Sequence, residues 1–358
     1  MFICVLLLSL VFSYVGDDKC LSCHEKQRTF LNTAHHFTSR EASADSIAGS
    51  FAPGKNILKT LDSDLHYQME ARPDGFFQTG ILGTPPDSIS VSQRFDLVIG
   101  SGRKGQTYLY WKDDQLFQLP VSYWTEVGSW VNSPGYGDRT LDFSRPVVPR
   151  CLECHASYFD AVADAGVGNR YRRSGYTVGI SCERCHGPGK EHSEQKNAPI
   201  VNPAKLPRDR QLALCSLCHG GIGESKAPPF SFVAGNALEG FLKLEAPKEN
   251  EKLDVHGNQV ALLERSKCFK SSQMTCSMCH DVHVRQRDVT NFSEKCFACH
   301  KVESCGLFPK RGRAITGKCV DCHLPNQTSD VIVSTHDGTR IAPKVRNHWI
   351  KIWPQKGT

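Results

Sequence analysis

Between residues 55 and 125, short stretches rich in β-branched and aromatic positions recur, and turn residues separate them. The stretches are Phe76-Phe77-Gln78-Thr79, residues 94–99, 107–111 and 116–121. The breaks fall at Pro73-Asp74-Gly75, at residues 100–105 and at Asp113-Asp114. This pattern predicts a small antiparallel β-meander inside a β-rich insert over residues 51–150. Residues 151–323 show no comparable strand pattern and predict short helices and loops. An apolar run at residues 2–12, ending in Val11-Phe12-Ser13, predicts a signal peptide over residues 1–13. That run is shorter than a membrane-spanning helix needs, and no Lys or Arg precedes it. Pro228-Pro229, several glycines and a mixed-charge run at 243–252 predict a surface connection, within a linker at residues 226–265.

Cysteine changes the picture. The 358 residues include 17 Cys and 15 His. Fourteen of the cysteines fall in seven copies of C-x-x-C-H: Cys20, Cys23, His24; Cys151, Cys154, His155; Cys182, Cys185, His186; Cys215, Cys218, His219; Cys276, Cys279, His280; Cys296, Cys299, His300; and Cys319, Cys322, His323. Chance at this composition predicts roughly 0.03 copies. Two thiols three positions apart share one face of a helical turn, so each can form a thioether with one vinyl group of a haem. The histidine that follows then reaches the iron from the same side. Zinc ribbons pair cysteines without needing a histidine after each pair. A disulfide scaffold suits a small secreted chain, and a thioredoxin-type redox site needs one motif rather than seven. The expected cofactors are therefore seven covalent haem c groups and their iron.

The first motif stands alone in a segment at residues 14–50. The other six divide into three at residues 151–225 and three at residues 266–358. At about 29 residues per motif, porphyrin faces must replace much of an aliphatic core. The expected fold is a multihaem cytochrome c, mainly short α-helices and loops wrapped around packed haems, with a small antiparallel β insert.

Eight histidines lie outside the motifs: His35, His36, His66, His192, His256, His283, His336 and His348. If one of the adjacent pair His35/His36 ligates, seven distal candidates remain for seven irons. His192 and His283 follow His186 and His280 by six and three residues. Neither can easily swing round its own haem, so each is expected to reach a neighbouring iron. His66, in a strand pattern, and His348, near the C-terminus, are weaker candidates. Excluding Met1, only Met69, Met274 and Met278 could serve as methionine ligands, so mostly bis-His, low-potential haems are expected. Cys268 and Cys305 are left over, and a disulfide between them is an open question. Cys4 lies in the apolar leader and is expected to be removed with it.

The formal charge of +6 is no sign of a nucleic-acid partner. Haem propionates offset it, and many Lys and Arg are expected to neutralise them. Gly100-Ser101-Gly102-Arg103-Lys104-Gly105 matches G-x-G-x-x-G, but the strand-like Gln106 to Trp111 follows where a dinucleotide site needs a helix. A glycine-rich hairpin turn is expected there.

Several segments resemble exported multihaem c-type cytochromes related to the tetrahaem electron carrier of nitrifying bacteria. They are Tyr14-Val15-Gly16 leading into CLSCH, the Thr33-x-His35 step, GISCERCHGPGKEH at 179–192, MTCSMCHDVH at 274–283 and CVDCHLP at 319–325. IGSGRKGQTYLY and LFQLPVSYW, within residues 99–124, are similar to the β-insert of larger members. The resemblance implies that His192 and His283 are distal ligands to neighbouring haems. It also implies electron transfer with other redox proteins as donor and acceptor, in the periplasm, outside the cell or at its surface. No catalytic residues are assigned, and a carrier rather than an enzyme is expected. One alternative is a multihaem oxidoreductase acting on a small nitrogen or sulfur compound at one open haem. Another is a subunit of a conductive homo-oligomeric filament. Membrane association is expected only through partners or an uncleaved N-terminus.

Overall fold

A computed structural model describes residues 14–163, 166–195, 197–245, 253, 258–329, 331–336 and 338–354. The expected signal peptide, Cys4 and His256 lie outside the described residues. No described helix is long and apolar enough to cross a membrane.

Ten strands build two sheets here, nine within the insert and the first just before it. They are β1 (Ser39–Glu41), β2 (Ile57–Lys59), β3 (Leu65–Arg72), β4 (Gly75–Leu82), β5 (Ile89–Arg94), β6 (Leu97–Ile99), β7 (Gly105–Lys112), β8 (Gln115–Gln118), β9 (Val121–Trp124) and β10 (Ser129–Asn132). Strands β2 to β5 form an antiparallel meander. The second sheet runs β1-β6-β7-β9-β10, with β8 also paired to β7. In β3, Leu65, Tyr67 and Met69 are buried and alternate with half-exposed His66, Gln68 and Glu70, as expected of a sheet with one wet face. The two sheets share a core that joins Leu58, Tyr67 and Met69 to Tyr108, Val121 and Trp130. Trp130 anchors it, and its indole N–H donates to the Ser50 carbonyl at 2.9 Å.

The second sheet is buried on both faces. Val98 and Tyr108 point into the shared core. Leu97, Ile99 and Leu109 point the other way, onto Leu116, Leu152, Phe159, Tyr171 and Phe230. Two-sided burial is why Leu97–Ile99 and Tyr108–Tyr110 are unbroken apolar runs. It also ties the insert to the second motif, because Leu152 belongs to that motif. The glycine-rich segment is the β6–β7 hairpin turn, with Ile99 opposite Thr107, and no helix follows it.

The expectation of mainly helical structure does not describe this chain. Among the described residues six antiparallel sheets accompany the helices, and the longest described helix, Arg208–His219, has 12 residues. The described part of the expected surface connection is not all surface. Phe230 packs with Leu152 and Phe159, while Phe232, Leu238 and Leu242 pack on Ala213 and Leu217. The Pro and Gly positions break regular structure there, but the apolar residues between them still seek burial.

Candidate haem-binding sites

Each motif lies in or beside a short helical turn. The helices are α1 (Asp17–Leu21), α2 (Pro149–Glu153), α3 (Cys182–His186), α4 (Lys190–Glu194) and α5 (Arg208–His219), followed by turns at Cys276–Met278 and Lys295–Ala298 and a helix at Cys319–His323. Among these, α4 carries His192 and the others carry motifs. The histidine N–H closes the turn onto the first cysteine's carbonyl at 3.0 Å in His24→Cys20 and 2.9 Å in both His280→Cys276 and His300→Cys296. A closed turn brings both thiols and the imidazole to one side.

Four imidazole pairs form between motif and non-motif histidines. Ring centres are 6.2 Å apart in His24/His192, His219/His35 and His186/His283, and 6.3 Å apart in His280/His348. Two metal–imidazole bonds of about 2.0 Å, plus about 1.1 Å from each nitrogen to its ring centre, require ~6.2 Å. The residues therefore fit a hexacoordinate haem iron. Zinc would need four protein ligands, and among the described residues no group of three or more His, Cys, Asp or Glu is placed to hold a metal ion.

The candidates sort by position. His192 faces the first motif and His283 the third, each away from the motif it follows in sequence. His348 is also paired, although its terminal position made it a weak candidate. Of the adjacent histidines, His35 is paired; His36 instead points Nδ1 at Asp17, 3.4 Å away. His66 lies on β3 opposite Lys59 and Ile81, within the insert. His336 closes a hairpin with Thr339.

Neighbouring groups fix the imidazole tautomers. Nδ1–H donates to a backbone carbonyl in His186 (Val201, 2.8 Å), His192 (Ala198, 2.9 Å), His323 (Lys351, 2.9 Å) and His348 (Arg346, 3.1 Å). His155 Nδ1 lies 3.0 Å from the Thr38 hydroxyl. A carbonyl on Nδ1 leaves Nε2 as the ligating atom and raises its basicity. Burial lowers the pKa of His35, His186 and His280, and it lowers those of His219 and His348 to about 4. The rings are thus held neutral, the form that binds metal. The next influence on His280 is the positive charge of Arg103, on the glycine-rich hairpin of the insert.

Thiols of different motifs also meet. Side-chain hydrogen bonds join Cys20 to Cys182, Cys154 to Cys218, Cys215 to Cys276 and Cys296 to Cys319. Cys185 lies within electrostatic reach of Cys215, and Cys279 of Cys296. Cys268 and Cys305 are both free thiols.

Sequence reasoning missed the buried charges that join these segments. Glu183, 2% exposed, accepts the N–H groups of Val15, Gly16 and Gly189 at 2.8–3.0 Å. It locks the first motif's approach to the third. Glu153 accepts from Phe230 N–H at 2.8 Å and pairs with Arg150, which donates to the Leu217, Gly221 and Ile222 carbonyls beside the fourth motif. Asp17 accepts from Cys182 N–H; burial raises its carboxyl pKa, but this bond and the one from His36 outweigh burial and leave it below the ordinary value. The G-x-x-C-E-x-C-H-G-P-G spacing was the available signal. Gly179 has φ +67°, and a Cβ there would lie 2.3 Å from the His36 carbonyl oxygen; Gly187, at φ +80°, ends α3. Replacing Glu183 with Ala strands three amides and is expected to cost about 3 kcal/mol. That lowers the holoprotein's Tm by roughly 4 °C, with Glu183→Gln intermediate; a melting curve unchanged in both variants would refute the locking role.

Residues 137–187 match the family model described as cytochrome c554 and c-prime. The chain is similar to the C-type polyheme cytochrome OmcC of Geobacter sulfurreducens, at 25% identity over 52% of this chain and 27% of that protein. It is also similar to the multiheme cytochrome MtrA of Shewanella baltica, at 28% identity over 42% of this chain and 51% of that protein. The matches thus span about a quarter to a half of these relatives' lengths. The fold is similar to that of the outer cell wall cytochrome OcwA, with a TM-score of 0.60 at 16% identity, covering 94% of this chain and 79% of that one. With its repeated C-x-x-C-H turns, its imidazole pairs at axial spacing and these matches, the chain is similar to the multihaem c-type cytochromes.

Proposed function

We propose that the chain is a heptahaem electron-transfer protein whose haems are mostly bis-His ligated. The observation that carries this reading is the set of four imidazole pairs at 6.2–6.3 Å, each joining a motif histidine to one from a distant segment. When bound, haem c supplies a one-electron ferric/ferrous couple. The chain's own contribution is placement: thioether cysteines fix each group, and carbonyl acceptors orient the ligands. His35, His192, His283 and His348 are the distal ligands of the fourth, first, third and fifth sites. Three candidates, His66, His256 and His336, remain for the second, sixth and seventh.

The thiol contacts suggest a spatial order unlike the sequence order. It runs first, third, fourth, fifth, sixth and seventh, with the second branching from the fourth. The seven motifs together with the apolar leader support export to the periplasm or cell surface, with other redox proteins as partners. Pyridine haemochrome assay is expected to give seven haems per chain, and EPR of the oxidised protein to be dominated by low-spin signals. Fewer than seven haems overturns the heptahaem reading. A strong high-spin signal that shifts with nitrite or hydroxylamine would favour an oxidoreductase instead.

A further inference from the structure

Residues 346–353 touch two sites at once. Arg346 donates to the Val320 and Leu324 carbonyls at 3.2 and 2.8 Å and to Asp321 at 3.0 Å, so the segment starts on the seventh motif's helix. His348 then turns to face His280 of the fifth motif, 6.3 Å between ring centres. Two residues on, Ile350 N–H donates at 2.8 Å to Ser266 Oγ, on a residue with no solvent exposure. The chain then returns to the seventh motif. The Lys351 carbonyl accepts His323 Nδ1–H at 2.9 Å, and Trp353 Nε1–H donates to the His323 carbonyl at 3.1 Å. The Lys351 ammonium lies 3.6 and 4.0 Å from the ring centres of Trp349 and Trp353, which stiffens the last turn.

We propose that residues 346–353 form one positioning strap for two haem sites, so that the fifth and seventh haems have linked reduction potentials. The inference rests on the haem reading above. His348 is an axial ligand candidate at the fifth site. The Lys351 carbonyl acts on the seventh through His323, because an acceptor on Nδ1 makes the imidazole a stronger donor and favours ferric iron. Loosening the strap removes donor strength at both sites, so both potentials move upward. Ser266, which ligates nothing in this scheme, is the pin between them.

The test is a spectroelectrochemical titration with parallel EPR on the full holoprotein. Ser266→Ala is expected to retain seven haems, to add high-spin character at one haem and to raise the potential of a second. Ser266→Thr, which keeps the hydroxyl, restores both. His348→Ala is expected to make the fifth haem high-spin and also to raise the potential of the seventh. This second shift should vanish in a Cys319→Ser/Cys322→Ser background. If both Ser266→Ala and His348→Ala move a single haem, the linkage is wrong; His348→Ala decides alone if Ser266→Ala yields no holoprotein. Fewer than seven haems in the unsubstituted chain would instead sink the underlying haem reading.

Discussion

A His283→Ala chain is expected to keep seven covalent haems while one of them changes from low to high spin. Thioether attachment at Cys182 and Cys185 does not involve His283, so haem content is unaffected. The ring facing His186 at 6.2 Å is lost, which leaves that iron with one imidazole. Axial ligands span roughly 0.8 V of haem potential, and loss of a strong nitrogen donor raises the midpoint by on the order of 0.1 V. His36→Ala is the control. That ring sits against Asp17 and the edge of Phe30, so its removal should leave the EPR low-spin. A His283→Ala spectrum identical to that of the unsubstituted protein would remove His283 from the ligand set. High-spin signal in His36→Ala would show that the adjacent histidines had been assigned the wrong way round.

Removing the fourth site is expected to divide the relay. The motif at Cys215/Cys218 touches the second motif through Cys154 and the fifth through Cys276, and Cys185 of the third is within reach. In a Cys215→Ser/Cys218→Ser protein, six haems should remain, but electrons placed on the first and third no longer have a near neighbour leading to the fifth. Internal equilibration after flash photoreduction should slow by more than about tenfold, a barrier increase above about 1.4 kcal/mol. The matched control is Cys151→Ser/Cys154→Ser. It also removes one haem, yet it deletes only the branch, so equilibration along the main route should stay unchanged. Equal slowing in the two variants would mean that the order inferred from thiol contacts is wrong.

Much of the site was legible without coordinates because it is local chemistry. C-x-x-C-H carries its spacing within five residues, and a single helical turn presents all three side chains wherever it occurs. The crowding that sends His192 and His283 to another motif is likewise a matter of a few residues. His348 shows the opposite case. Nothing near Trp349 or Lys351 marks it as a partner of His280, 68 residues earlier, until the pairing of residues 326–328 with 344–346 brings the C-terminus back. The choice between His35 and His36 was equally closed to sequence, since neighbours in a tight turn differ only in direction.

The sequence by itself determined the cofactor chemistry, the number of attachment motifs and the presence of a β-rich insert, since each is written in spacing or local pattern. Tertiary structure alone decided which histidines meet, in what order the motifs adjoin, and that Leu97–Ile99 is buried on both faces. It also turned Phe230, Phe232, Leu238 and Leu242 from parts of an apparent connection into core. The physical reason is range: a helical turn or hairpin is specified by residues a few positions apart. Axial pairing and two-sided burial depend on segments tens to hundreds of positions apart, whose approach is set by the packing of the whole chain.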